Sequence, residues 1–278
     1  MKKLSLSVGI NNYPGTSNDL NGCVNDAQDW QGLLKTQFGF DDNVLLLDAQ
    51  ATKANILQSL RNLVSSLDSE DVGVFTYSGH GTWVYDTDSD EDDNRDEAIC
   101  AYDSSILDDD VRNILLSLNP DAKLTIISDS CHSGTVTRMM LAKEFSLSSK
   151  DFDSFEMEGF ENLETNTLKP RFMPPENELD TIKSLTLPIR QRFLYPESGM
   201  SELLLTGCNA MEYSYDAFIN GRFNGAFTAF AIAMIKNNPN LTYRELHQRI
   251  RKILPNNRYP QSPQLEGNNE FKDALLFS

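Results

Sequence analysis

Two residues that can act as nucleophile and base each follow a run of mainly apolar residues. The run VGVFTY (72–77) leads into a segment that carries His80, and the run KLTIIS (123–128) leads into a segment that carries Cys131. Both runs have the length and composition of buried β-strands. A thiolate attacks a carbonyl carbon readily, and a neighbouring imidazole can lower the pKa of the thiol or protonate a leaving amine. The pattern predicts acyl transfer at Cys131, assisted by His80.

Glycines on both sides of His80 allow a substrate backbone to approach closely. We expect the backbone amides of Gly81 and Cys131 to form an oxyanion hole. In the alternative interpretation Cys131 is a structural cysteine and His80 a loop histidine, but both stand at the ends of consecutive hydrophobic strands. A zinc site made of Cys131, His132 and His80 is disfavoured, because His132 should point away from the nucleophile.

The elements that would position these residues are strands that alternate with helices. Such alternation predicts an α/β fold with a mostly parallel sheet covered by helices on both faces. In such sheets the functional crevice lies beyond the carboxyl ends of the strands, so the imidazole and the thiol would face each other if their strands are neighbours, roughly 5 Å apart. The predicted strands are 4–10, 44–47, 72–77, 123–128 and 203–208, and the predicted helices cover 19–38, 52–67, 111–118, 225–236 and 242–253.

One part of the chain lacks this regularity. Residues 144–200 are polar and contain several prolines, and no hydrophobic periodicity persists through them. Neither an internal repeat nor a low-complexity linker divides the chain. We therefore expect a single domain over residues 1–278, with an irregular insertion at about 144–200.

Composition narrows the range of partners and compartments. The 278 residues carry a formal net charge of −17, which argues against nucleic acid and anionic membranes and suits basic peptides, basic proteins or metal ions. Four scattered cysteines are too few for a disulfide framework. No stretch approaches the roughly 18–20 apolar residues of a membrane span. A cytoplasmic location is the expectation.

The motifs around these residues resemble those of the metacaspases, a family within the wider caspase-like fold. The resemblance covers nearly the whole chain. It implies a caspase-like cysteine endopeptidase with catalytic His80 and Cys131 that cleaves after Arg or Lys. It also implies a monomer, since the family does not require the dimerisation typical of caspases. The matching motifs, in family order, are NGCVNDA (21–27), YSGHG (77–81), DEDDNRDEAI (90–99), DSCHSG (129–134), TGCN (206–209), NGAFT (224–228) and SPQLEG (262–267).

The resemblance also implies a pocket for the basic side chain of the substrate. Asp26 and Asp129 match the family positions that line this pocket, with Cys23 and Ser78 beside them. Two carboxylates at the base of a pocket would select a guanidinium or an ammonium group, because a desolvated cation needs a partner. The alternative for Asp26 is a solvated position on the first predicted helix.

A dense acidic stretch between residues 86 and 110 is the candidate metal site. Its acids are spaced partly like those of an EF-hand loop. However, Glu91 stands where that loop requires glycine for its turn, and flanking helices are missing. A true EF-hand is therefore disfavoured, and a solvated acidic loop without a bound metal is the plain alternative.

The resemblance gives the acidic stretch a different role, as a calcium site that activates the peptidase. The matching ligands are Asp92 or Asp93 together with Asp108 and Asp109. The family carries a further acidic ligand several residues after the nucleophile, and here Arg138 occupies that neighbourhood. We therefore expect weak calcium binding, with a dissociation constant of roughly 10⁻⁴–10⁻³ M.

Other functions remain compatible with the same motifs. A catalytically silent caspase-like scaffold or adaptor is disfavoured because both catalytic residues are intact. A peptide ligase that uses the same dyad would join peptides instead of hydrolysing them. A peptidase specific for basic residues could also cut itself in the weakly structured insertion, where proteolysis concentrates. The basic residues considered there are Lys150, Lys169, Arg171, Lys183, Arg190 and Arg192.

Overall fold

The computed structural model describes residues 1–15, 17–85, 95–131, 168–174, 200–209 and 212–278. The strands of the described residues, in chain order, are β1 (Lys3–Gly9), β2 (Asp42–Leu47), β3 (Val72–Ser78), β4 (Gly81–Tyr85), β5 (Arg95–Cys100), β6 (Ser105–Leu107), β7 (Lys123–Asp129), β8 (Lys169–Pro170), β9 (Glu202–Thr206), β10 (Tyr215–Ile219), β11 (Arg222–Gly225) and β12 (Gln264–Glu266).

The centre of the fold is a six-stranded sheet with the order β12-β9-β7-β3-β1-β2. Its neighbouring strands are parallel except for β12, which runs antiparallel to β9. The inner strands are rich in Val, Ile, Leu and Phe because both of their faces are covered. The predicted α/β fold with a mostly parallel sheet is confirmed.

Helices lie on both faces of this sheet. Thr52 caps the helix that begins at Lys53 by accepting a hydrogen bond from the Asn55 amide, and Thr242 forms a capping box with Glu245 at the start of the helix that begins at Tyr243. The helices are α1 (Cys23–Phe38), α2 (Lys53–Ser65), α3 (Asp108–Leu115), α4 (Ala226–Asn237), α5 (Tyr243–Ile250) and α6 (Asn269–Lys272), with a short 3₁₀ turn at Asp48–Gln50.

Two hydrophobic cores hold the layers together. Helices α1, α4 and α5 pack on one face of the sheet with Val74 of β3, and α2 and α3 pack on the other face with Phe75. The two neighbouring residues reach different cores because side chains alternate across a strand. Within the described residues, no helix is both long and apolar enough to cross a bilayer.

Two small antiparallel sheets flank the carboxyl ends of the central strands. One has the order β11-β10-β8 and the other β4-β5-β6. Strand β8 comes from the predicted insertion, of which the structure describes residues 168–174 and 200. These small sheets have no clear signal in the sequence, because their short strands carry polar residues and lack a clear alternation.

The start of α1 also differs from the expectation. The helix begins at Cys23 and not at Asp19, because residues 19–22 make other hydrogen bonds. Asp19 accepts a hydrogen bond from the Tyr13 amide, and Asn11 Oδ1 accepts one from the amide of Cys23 at 2.8 Å. The amide at the first turn is thus satisfied by a side chain from another loop, which a local sequence pattern does not reveal.

Candidate active site

The two sequence motifs meet at the carboxyl edge of the central sheet. Strands β3 and β7 are adjacent and parallel, with Ser78 opposite Asp129. His80 and Cys131 each follow two residues later, so both lie just beyond the same edge. The chain is so close here that a Cβ on Gly81 would come within 1.4 Å of the Cys131 carbonyl oxygen. Glycine is therefore required at position 81.

Two backbone amides at this edge point at one oxygen atom. The amide of Gly81 donates to the carbonyl oxygen of Arg171 at 3.0 Å, and the amide of Cys131 donates to the same oxygen at 3.3 Å. These are the two amides that the sequence suggested for an oxyanion hole. Paired donors of this kind stabilise the negative charge that develops on a carbonyl oxygen during acyl transfer.

The imidazole of His80 is held in place and largely removed from water. Its Nε2 is hydrogen-bonded to the carbonyl oxygen of Asn18, so Nε2 carries the hydrogen, and its ring packs against Tyr13 at 4.8 Å between centroids. Burial lowers the pKa of His80 to about 4, although the hydrogen bond to Asn18 opposes this shift. The ring is therefore neutral at pH 7. Its Nδ1 is buried without a hydrogen-bond partner among the described residues, which leaves a lone pair to accept a proton.

The thiol of Cys131 is fully buried beside the loop that precedes β10. The amide of Ser214 donates to Cys131 Sγ at 3.0 Å, and Sγ lies 3.5 Å from the carbonyl oxygen of the same residue. These two contacts fix the position of the sulfur against the backbone of Ser214. The contact ties the predicted nucleophile to the wall of the adjoining pocket.

That pocket holds the side chain of Arg171, which is completely buried. Its Nη2 lies 2.7 Å from Asp26 Oδ2 and 3.0 Å from Asp216 Oδ1, and its Nη1 lies 3.4 Å from Asp129 Oδ2. Nη1 also donates to Ser78 Oγ at 3.3 Å. One guanidinium thus faces three carboxylates, so the pocket without its cation would contain three buried acids.

The predicted pocket residues therefore come together around a basic side chain. Asp26 is buried and not solvated, and Ser78 and Asp129 lie beside it. Cys23 is also buried, and burial raises the pKa of its thiol well above the usual value, while Arg171 opposes the shift. Asp216 on β10 was not expected, because a single acid on a short strand carries no sequence signal.

Each pocket carboxylate is held by donors besides the guanidinium. Asp129 Oδ2 accepts from the amide and the hydroxyl of Thr228 at 3.0 and 2.7 Å, in the first turn of α4. Asp26 accepts from the amide of Gly225 at 3.0 Å, and Asp216 from the amide of Asn21 at 2.7 Å. Helix N-termini and backbone amides stabilise carboxylates. The acids are thus held in place by groups other than the guanidinium.

The pocket is also sterically tight at Gly225. A Cβ on Gly225 would lie 2.1 Å from Asp129 Oδ2 and 2.5 Å from Arg171 Nη1. Any side chain at position 225 would therefore push into both the carboxylate and the bound guanidinium. This close approach explains the glycine of the NGAFT motif.

Comparison with known proteins identifies the family. A family model described as "Metacaspase, peptidase C14 domain" matches residues 3–140. Metacaspase-1 of Meyerozyma guilliermondii is 33% identical over 289 residues, which cover 96% of this chain and 70% of that protein. The chain belongs to the metacaspase family. Metacaspase-1 of Emericella nidulans is 31% identical over 306 residues, covering 99% of this metacaspase and 72% of that protein.

Other relatives agree with this assignment. Metacaspase-1 of Yarrowia lipolytica is 32% identical over 298 residues, and this metacaspase spans 64% of its length. The crystal structure of a Geobacter sulfurreducens protein superposes with a TM-score of 0.73 at 26% identity, covering all of this metacaspase and 99% of that chain. The resemblance stated from the motifs is confirmed, and with it a caspase-like cysteine peptidase that acts on proteins.

Only some of the expected metal ligands of this metacaspase lie among the residues that the structure describes. Asp92 and Asp93 lie outside the described residues. Asp108 and Asp109 lie in the first turn of α3, where Asp109 is 3.9 Å from Arg112 Nε. Among the residues that the structure describes, no group of three or more His, Cys, Asp or Glu could hold a metal. Calcium binding stays a prediction.

Proposed function

We propose that this metacaspase is an endopeptidase that hydrolyses peptide bonds after Arg or Lys through Cys131 and His80. The observation that carries the proposal is the environment of Arg171. Its guanidinium lies among Asp26, Asp129 and Asp216, while its carbonyl oxygen accepts two hydrogen bonds from backbone amides. An arginine before the scissile bond of a substrate would need both interactions at once.

The chemistry follows from the groups at the strand ends. His80 Nδ1 takes the proton of the Cys131 thiol, and the sulfur attacks the carbonyl carbon of the substrate. The amides of Gly81 and Cys131 hold the oxygen as it becomes negative. The imidazolium then gives its proton to the leaving amine, and water releases the acid from the thioester. A neutral histidine before the first step is what a base requires.

The proposed preference for Arg and Lys has an electrostatic origin. A pocket with three acids binds a cation strongly and repels an acidic side chain at the same position. Arginine has the advantage of a planar group with five donors, which can reach several carboxylates together. Lysine offers a single ammonium, so we expect it to be accepted with lower kcat/KM.

The proposal is tested with fluorogenic peptides that differ only in the residue before the scissile bond. Arg should be cleaved best, Lys less well, and Asp or Ala not measurably. Mass spectrometry of the products should show hydrolysed fragments and no joined peptides. Faster cleavage after Asp would contradict the assignment of the pocket, and joined products would show that the protein is a ligase.

We also propose that calcium activates the peptidase through the acidic stretch. Asp108 and Asp109 carry carboxylate oxygens, the ligands that calcium prefers, and Asp92 or Asp93 would complete the set. Bound calcium would neutralise clustered negative charge next to β4 and β5. Strand β4 starts at Gly81, so ordering this region would steady one side of the cleft.

Calcium titration should raise the rate with half-saturation at roughly 10⁻⁴–10⁻³ M. The response should be lost when Asp108 and Asp109 are both changed to Asn. Asp110→Asn is the matched control, because this acid lies in the same turn but pairs with Lys53 at 2.7 Å. Equal wild-type rates with calcium and with chelator would refute activation by calcium.

The remaining expectations stay proposals. We infer self-processing within 144–200 from the basic residues of that segment and the specificity proposed above. A monomer, a cytoplasmic location and the absence of nucleic acid or membrane partners rest on the sequence alone. All four cysteines are free thiols in the fold, which suits a reducing compartment.

A further inference from the structure

Residues 168–174 lie along the candidate active site in an extended conformation. Before Arg171, the two residues of β8 pair antiparallel with β10, and the Arg171 amide donates to the Ser214 carbonyl oxygen at 2.9 Å. After Arg171, the amide of Met173 donates to the Gly81 carbonyl oxygen at 3.0 Å. The segment thus pairs with β10 and Ser214 on one side and with Gly81 on the other. Adding a strand in this way is a common means by which proteins bind extended peptides.

These contacts place the carbonyl group of Arg171 between β10 and Gly81. The main chain is held on both sides of Arg171, its side chain fills the acidic pocket, and its carbonyl oxygen is bound by the Gly81 and Cys131 amides. Holding every part of a reactant close to the catalytic groups is what lowers the entropic cost of reaction. The bond that follows this carbonyl joins Arg171 to Phe172.

We propose that the Arg171–Phe172 bond is a processing site, which the chain presents to its own active site and cuts. This inference rests on the proposed function. The Cys131 sulfur bonds to the Arg171 carbonyl carbon as its proton passes to His80, and the carbon–nitrogen bond to Phe172 breaks as that proton passes to the nitrogen. One water then hydrolyses the thioester, giving a carboxylate on Arg171 and restoring the thiol.

Of the basic residues in the insertion, the structure describes Lys169 and Arg171. Lys169 is half-buried on β8, where it stands opposite Asp216 in the strand register, whereas Arg171 is fully buried in the pocket. Only Arg171 of these two directs its carbonyl oxygen to the paired amides. The geometry therefore selects the bond after Arg171 and not the bond after Lys169.

The residue after the bond also has a defined site. The ring of Phe172 is 5% exposed and packs against Tyr213 with 5.7 Å between centroids. An apolar site next to the scissile bond favours a large apolar residue on the leaving side of any substrate. Peptides with Phe in that place should consequently be cut faster than the same peptides with Asp.

The test is incubation of purified protein, followed by intact mass measurement and N-terminal sequencing. Wild type should yield a fragment that begins at Phe172, and Cys131→Ala should stay intact. Arg171→Gln should lose this fragment, Arg171→Lys should form it more slowly, and Lys183→Gln should form it as wild type does. Since the bond lies in the same chain as the nucleophile, the first-order rate constant for cutting it should not change over a 100-fold range of protein concentration.

Three outcomes would overturn the inference, and the first two are distinguishable from failure of the proposed function. If Arg peptides are hydrolysed but no chain begins at Phe172, the processing site is wrong while the peptidase assignment stands. If the rate rises in proportion to concentration, cutting occurs between chains. If neither peptides nor chain are cut, both proposals fail. Should Arg171→Gln not fold, a peptide of residues 168–174 (LKPRFMP) given to wild type must be cut between Arg and Phe.

Discussion

Replacing Cys131 with Ala is expected to abolish peptide hydrolysis, and replacing His80 with Ala is expected to do nearly the same. Without the sulfur there is no atom to form the thioester, and without the imidazole the thiol keeps its proton and the leaving amine gains none. Loss of the nucleophile or of its base lowers kcat by roughly 10⁶-fold in the serine protease subtilisin. We expect a reduction of that order in kcat/KM for Arg peptides.

Matched variants separate chemistry from packing. Cys100 is another buried thiol on β5, and His247 is a half-buried histidine whose Nε2 is bonded to the Pro263 carbonyl oxygen. Cys100→Ala and His247→Ala should change kcat/KM by less than about tenfold, because neither side chain takes part in the proposed reaction. All four variants should be compared by circular dichroism. A folded Cys131→Ala protein that still hydrolyses peptides would disprove the assignment of the nucleophile.

The second large effect is expected at the acidic pocket. Changing Asp26, Asp129 or Asp216 to Asn keeps the size of the side chain but removes a charge that faces a desolvated guanidinium. Loss of a buried ionic partner costs about 2–5 kcal/mol, which is roughly 30-fold to 5,000-fold in kcat/KM. The loss should be specific for substrates with Arg or Lys before the scissile bond.

A control for this prediction is Asp273→Asn. Asp273 also pairs with an arginine, Arg244, at 2.5 Å, but both are at the surface. Exposed ion pairs contribute little, so activity should be unchanged. If Asn at all three pocket positions left the preference for Arg unaltered, the pocket would not determine specificity.

Acid should weaken the same pocket in wild type. Burial, with a contribution from the neighbouring Asp129, raises the pKa of Asp26 to about 6, although Arg171 opposes the shift. Below this pH Asp26 is increasingly protonated, so the pocket loses one negative charge and holds a cation less tightly. The kcat/KM for Arg peptides should therefore fall as pH drops through about 6, and this decline should be absent in Asp26→Asn.

The elements that carry His80 and Cys131 were predictable because long apolar runs precede both residues. Parallel strands end at one edge, so both residues were expected there, whereas the adjacency of β3 and β7 came from the structure. Asp216 and the position of Arg171 were not predictable in this way. Arg171 meets Asp26 across 145 residues of sequence and Asp216 across 45, and these contacts depend on a short strand from a polar insertion. No local pattern of hydrophobicity encodes pairing at that distance.

The order of strands in the central sheet has a consequence for how a cleaved sample would behave. A break after Arg171 assigns β1, β2, β3 and β7 to one piece, and β9 and β12 to the other. Those pieces would still share the β7–β9 ladder and a continuous core, in which α1 packs with α4. Gel filtration would then report a particle of unchanged size, while a denaturing gel of the same fraction would show two bands.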